Sequence, residues 1–158
     1  MIFVTVGTQL PFDRLICAID EIAPYLDRER IIAQTNGGRY VAKNIECKRY
    51  FSAVEFNVLI NQSRLILSHA GIGSIISAMT HEKPIIIMPR RASLGEHRNE
   101  HQLATARKMD ELNFVNVVYN EQQLQDFILN KNIQSLHVLG GHASNRLIQS
   151  IADFIADK

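Results

Sequence analysis

Apolar residues recur along this chain in two rhythms, short unbroken runs and helical stripes, and they alternate nearly from end to end. Ile2 to Val6 is a β-branched and aromatic run without polar alternation, the pattern of a parallel strand covered on both faces. Gly7-Thr8-Gln9 turns the chain, and Pro11 suits the first turn of a helix. Phe12, Leu15, Ile16, Ile19, Ile22 and Leu26 then repeat at helical spacing, with Pro24 ending or kinking that helix near Ala23. Ile31 to Thr35 predicts a second strand, closed by Asn36-Gly37-Gly38. The stretch from Arg39 to Tyr50 gives only a weak strand around Ile45 to Lys48. Ser52 is placed to cap a helix whose inward positions are Val54, Phe56, Leu59 and Ile60.

The densest pattern follows. Arg64 to Ser68 reads as a buried strand, His69-Ala70-Gly71-Ile72-Gly73-Ser74 as a glycine turn into an apolar helix, and Pro84 to Met88 as another buried strand. A polar loop from Pro89 to Gln102 leads into a helix over Asn99 to Leu112 with Leu103, Ala104, Ala106 and Met109 inward. Phe114 to Val118 predicts a strand, and Glu121 to Leu129 a helix facing in through Leu124, Phe127 and Ile128. Beyond a break at Gly140-Gly141, a closing helix from about Ser144 carries Leu147, Ile148, Ile151, Phe154 and Ile155 on one stripe, to pack on the sheet or to meet a partner. Strand–helix alternation of this kind predicts an α/β domain, a doubly wound parallel sheet of Rossmann-like type. At 158 residues the chain reads as a single domain.

Composition narrows the function. The chain is 46% hydrophobic and 21% charged with a net charge of +1, an ordinary globular balance that gives no pull toward nucleic acid. Cys17 and Cys47 lack metal-ligand spacing; Cys17 reads as a core filler, and the usage fits a reducing cytoplasm. The first residues have no basic segment ahead of the apolar run and too short a run for a signal peptide or a membrane span. The expectation is a cytoplasmic protein, held at a membrane only through another chain.

The glycine turns carry the candidate chemistry. A glycine turn between strand and helix leaves backbone N–H groups at the positive end of the helix dipole, where an anion is held. Gly71-Ile72-Gly73 lacks the third glycine of a dinucleotide fingerprint, and neither turn ends in the Gly-Lys-Ser/Thr of an ATPase loop, so NAD and ATP are disfavoured. His69 stands either to donate to a phosphate or sugar oxygen or to be satisfied by a nearby carbonyl. The loop holds Arg90, Arg91, Glu96, His97, Asn99, Glu100, His101 and Gln102, a mixture of donors and acceptors that suits sugar hydroxyls or, read plainly, a solvated helix start. His97 and His101 have the spacing of metal ligands, but the order of the motif is wrong and Arg98 intervenes, which disfavours a cation. Arg90 and Arg91 could offset diphosphate charge, although for a single surface arginine solvation is the ordinary expectation.

Val6-Gly7-Thr8-Gln9, Ser68-His-Ala-Gly-Ile-Gly-Ser74, Lys83-Pro84 before its isoleucines, and Gly95-Glu-His-Arg-Asn-Glu-His-Gln-Leu-Ala104 together resemble the C-terminal domain of family 28 glycosyltransferases. That domain is the donor-binding half of the two-domain GT-B fold. The resemblance runs from Met1 to about Phe154. It is strongest to the small donor-binding subunits of two-component bacterial polysaccharide glycosyltransferases. More distantly, the chain is similar to the cytosolic subunit of the eukaryotic two-piece UDP-GlcNAc transferase of the dolichol pathway.

The resemblance implies a hexosyltransferase subunit that binds a UDP-sugar donor, needs no metal or other cofactor, and acts with a membrane-attached acceptor-binding subunit on a lipid-linked sugar acceptor. It implies that Gly7 and Thr8 lie beside the diphosphate and Phe51 near the uracil, with Gln9 among the substrate-binding residues. His69, Ala70, Gly71, Gly73 and Ser74 would line the nucleotide pocket. Glu96, His97, Asn99, Glu100 and Gln102 would face the sugar, with Asn99 and Glu100 where the peptidoglycan GlcNAc transferase has a Gln pair. Ser77 departs from the family, which commonly has an acidic ribose clamp there; Glu96 is the candidate substitute. The catalytic base is expected on the partner. Two other readings stay open on the residues alone, a non-catalytic nucleotide-sugar-binding module and a self-sufficient sugar-phosphate enzyme.

Overall fold

The computed structural model describes residues 1–130 and 133–137, and the predicted closing helix from about Ser144 lies outside them. Six parallel strands form one sheet: β1 (Ile2–Thr5), β2 (Ile31–Gln34), β3 (Glu46–Lys48), β4 (Leu65–His69), β5 (Ile85–Met88) and β6 (Asn116–Val117). Their order across the sheet is β3-β2-β1-β4-β5-β6. Among the described residues four α-helices connect them, α1 (Asp13–Ile22), α2 (Ala53–Gln62), α3 (Ile72–Thr80) and α4 (His101–Glu111), and α5 (Glu121–Asn130) follows β6.

Successive strand residues point to opposite faces, and each face meets its own helices. Ile2, Val4, Leu65, Leu67, Ile86 and Met88 pack with α1 through Leu15, Ile16 and Ile19, and with α5 through Leu124 and Ile128. Phe3, Ile32, Ile66, Ile85 and Ile87 pack on the other face with Ile60 of α2, Ile75, Ala78 and Met79 of α3, and Ala106 of α4. The doubly wound α/β architecture is therefore the one the alternation predicts.

The differences have local causes. Pro24 ends α1 as expected, but the chain continues as a 3-10 turn over Ala23–Tyr25. Ser52 caps α2 in a reciprocal capping box with Glu55, yet only Ile60 of that helix is fully buried and Val54 is 74% exposed, because α2 lies beside the short edge strand β3. In α4, Gln102 rather than Ala104 turns inward, since its amide has a buried partner to meet. The strand expected over Phe114 to Val118 pairs only at Asn116 and Val117. Among the described residues no helix is long and apolar enough to cross a membrane.

The site is positioned by the strand order. From β1 the chain winds outward to β2 and β3, then returns across the sheet to β4 and proceeds the other way. The loops after β1 and β4 therefore diverge at the sheet's carboxyl edge, which is where open α/β sheets form their ligand crevice.

Candidate functional site

A cleft of about 700 Å³ opens at this switch point. Its walls come from the β1–α1 loop (Gly7, Thr8, Gln9), the start of α3 (Gly71, Ile72, Gly73, Ser74), His69, Phe51 and the edge of α2, with Arg90 and Gln102 behind. Helix α3 has Gly71 as its N-cap, no capping side chain and no acidic residue in its first turn. Its leading N–H groups consequently remain available to an anion at the positive end of the helix.

His69 is wedged between the two glycine turns. A Cβ on Gly7 would lie 2.7 Å from its Cε1, and one on Gly71 would lie 2.3 Å from its Nε2. Gly7 also has φ +73°, a backbone setting glycine adopts freely. Burial, reinforced by the charge of Arg90, lowers the His69 pKa to about 4, so the ring is neutral at pH 7. Its Nδ1 lies 3.1 Å from Ser68 Oγ, whose hydroxyl donates to the Thr5 carbonyl at 3.1 Å.

Gln34, at the end of β2, braces two walls at once. Its amide N–H donates to the Gly7 carbonyl at 3.1 Å, and its oxygen accepts from the Phe51 N–H at 3.3 Å. Phe51 is further held edge-on against Phe3, with ring centroids 6.0 Å apart. Arg90 is a correction to the solvated expectation: it is 2% exposed. Its Nη2 donates to the carbonyls of Val6, at 2.7 Å, and of Leu10, and its backbone N–H donates to Gln102 Oε1 at 3.1 Å. Arg91 is half-buried and donates to the Tyr119 carbonyl at 2.7 Å.

The candidate residues thus divide. Gly7, Thr8, Gln9, Phe51, His69, Gly71, Gly73, Ser74 and Gln102 converge on the cleft, and Ser77 joins them. Ala70 is instead buried among the apolar residues on the α2–α3 side of the sheet. Glu96 does not line the cleft: both carboxylate oxygens accept from Arg14, at 2.6 and 2.9 Å, and one also accepts from the Arg91 N–H. It braces the loop, with both oxygens engaged away from the cleft. Asn99 and Glu100 are exposed on the loop and His97 is half-buried; His97 bonds within the loop to Asn99, and Glu100 accepts from the Ser93 N–H at 3.2 Å. Gln34 and Asn57 are cleft residues that the sequence pattern did not single out, and Arg90, weighed there as a counter-charge to a diphosphate, lines the cleft from a buried position. A polar residue just where a buried strand ends, as at Thr5 and Gln34, is the signal that would have found the first of them. Among the described residues no group of three or more His, Cys, Asp or Glu could hold a metal ion.

Comparison with known proteins gives this geometry a family. The family model for the glycosyltransferase family 28 C-terminal domain matches residues 1–155. The UDP-N-acetylglucosamine transferase subunit ALG13 of Candida albicans is 29% identical over 89 residues, which are 56% of this chain and 29% of that relative. The chain thus spans less than a third of that relative's length. The solution structure of an ALG13 covers 95% of this chain and 93% of its own at 20% identity, with a TM-score of 0.60. The UDP-GlcNAc 2-epimerase of Neisseria meningitidis, solved bound to UDP-GlcNAc, shares the fold over 96% of this chain and 43% of its own, at 16% identity and a TM-score of 0.59. With nearly its whole length matched, the chain belongs to the glycosyltransferase family 28 C-terminal domain family.

Proposed function

We propose that this chain is the donor-binding catalytic subunit of a hexosyltransferase, holding a UDP-sugar while a membrane-attached partner presents a lipid-linked sugar acceptor. The observation that carries the reading is the cleft at the switch point, where the uncapped start of α3 faces the Gly7–Gln9 loop across His69. Membership of a glycosyltransferase family supports it, as does the likeness to a relative described as a transferase subunit.

In this reading the diphosphate sits against the N–H groups of α3 and of the β1–α1 loop, and the base packs beside Phe51. Glycosyl transfer makes the UDP leaving group more negative as the sugar departs. Fixed N–H dipoles stabilise that charge without reorganising, which lowers the barrier. The base that takes the acceptor's proton belongs to the partner, a reading supported by the lack of a carboxylate among the described residues that line this cleft. The loop past Pro89, with His97, Asn99 and Glu100 at its outer surface, faces the sugar and the partner. The product is a lengthened lipid-linked saccharide of the kind used for exopolysaccharide or capsule, assembled at the inner membrane face.

The test is a titration of UDP-glucose, UDP-galactose, UDP-GlcNAc and UDP-glucuronate against the chain, alone and with an acceptor-half partner. The reading expects UDP-dependent binding by the chain alone and transfer only with the partner. Absence of binding and of turnover in both settings overturns it.

A further inference from the structure

Among the described residues seventeen line the cleft, and none of these is Asp, Glu or Lys; His69 is neutral, so Arg90 supplies the only formal charge among them. That charge is buried, with 2% of the residue exposed, and no carboxylate forms an ion pair with it among the described residues. Its donors are not used up. Nη2 serves the carbonyls of Val6 and Leu10, which bracket the Gly7–Gln9 loop, but Nε is buried with no partner. The Phe12 ring lies 5.1 Å from Cζ, an attraction too small to offset burial of a cation. Burial lowers the pKa of Arg90 to about 10, against the opposing field of the Glu96 carboxylate, which makes no ion pair with it, and it stays protonated at neutral pH.

Burying an unpaired cation is costly. A structural role alone does not call for a charge here, since what Arg90 gives the fold is two neutral carbonyl contacts. An anion in the cleft would complete the pairing.

We propose that Arg90 is the charge-reading residue of the cleft, selecting a diphosphate over an uncharged nucleoside from behind the Gly7–Gln9 loop. The proposal rests on the nucleotide-sugar reading above. Arg90 acts at once as a counter-charge and as the clamp that holds the loop's N–H groups toward the anion. Its backbone link to Gln102 ties the same position to α4, so the loops after β1 and β5 are fixed by one residue. With the other lining groups uncharged, removing Arg90 leaves only dipoles to hold an anion.

The experiment measures binding of UDP, uridine and inorganic pyrophosphate to the 158-residue chain and to Arg90→Met and Arg90→Lys. Arg90→Met is expected to weaken UDP and pyrophosphate about tenfold or more, a range typical of lost charge-assisted contacts, while uridine changes by less than about twofold. Its apparent melting temperature without ligand is expected to fall modestly, because the Val6 and Leu10 carbonyls lose their donor. Arg90→Lys keeps the charge and is expected to retain most of the preference for UDP over uridine. If UDP binds Arg90→Met as it binds the parent, Arg90 does not read charge, although the nucleotide site stands. If UDP and uridine weaken together, the role is structural and the proposal fails. Should Arg90→Met not fold, a Lys variant that folds but loses the preference overturns it equally. Pyrophosphate binding to the parent that is lost in Arg90→Met, without any nucleotide binding, upholds the anion site and removes the nucleotide reading. A parent chain that binds none of the three removes both.

Discussion

The Nε2 atom of His69 lies 2.3 Å from the place a Cβ on Gly71 would take, so the imidazole and the glycine share one space. Gly71→Ala must therefore drive the ring out or shift the start of α3. The expected cost is about 1–3 kcal/mol, the usual range for overpacking a filled site. A urea titration checks it. The double variant Gly71→Ala/His69→Ala should recover most of the loss, because the clash partner is gone; if it melts no higher than Gly71→Ala alone, the shared space is not the cause.

Acid should destabilise the protein through His69. Its pKa is about 4 when folded, against about 6.5 for a free histidine, so between those values the unfolded chain binds more protons. Stability then falls as pH drops from about 6.5 toward 4, by at most about 3 kcal/mol. Asp20 and Glu29 are held below their ordinary values: burial alone would raise them, but hydrogen bonds from Lys43 and Asn44, and from Arg64, outweigh it. Their contribution is present above the unfolded carboxylate range and is lost only below about pH 4.5. Denaturant midpoints at about pH 7.5, 5.5, 4.5 and 3.5 separate the two windows, and His69→Gln should flatten the upper one.

Glu96 is expected to act on the loop and not on the ligand. Glu96→Gln removes the charged half of a half-buried pair with Arg14, at a cost of about 1–3 kcal/mol, and should speed amide exchange across residues 89–100. UDP affinity should change little by comparison. A loss of ribose-dependent binding without any change in exchange would assign Glu96 to the nucleotide after all.

Ser77 offers a gain-of-function test. It lines the cleft on α3, and a carboxylate there could accept from both ribose hydroxyls. Ser77→Glu is expected to tighten UDP about tenfold while leaving the 2′,3′-dideoxy analogue unimproved. Equal gains for both analogues would place the ribose elsewhere.

The fold was largely legible because buried parallel strands leave unbroken apolar runs such as Ile85 to Met88, while helices such as α1 leave a clean stripe. What escaped was decided by tertiary partners. Val54 falls at a helical inward position but has no sheet to cover it, and Gln102 turns inward because the Arg90 N–H waits for its oxygen. In the site, glycine turns announced Gly7, Gly71 and Gly73, since backbone geometry writes itself into residue type. The burial of Arg90 did not announce itself: it depends on carbonyls of Val6 and Leu10, eighty or more positions away along the chain. The salt bridge that holds Glu96 to Arg14 escaped for the same reason.

The most direct test of the central claim is a UDP titration of the isotope-labelled chain followed by backbone amide NMR. The account predicts saturable shifts centred on Gly7, Thr8 and the segment His69 to Ser74, with little change along β3. Saturable shifts confined to another surface, such as the groove between β3 and α2, or no shifts at millimolar UDP, would contradict it.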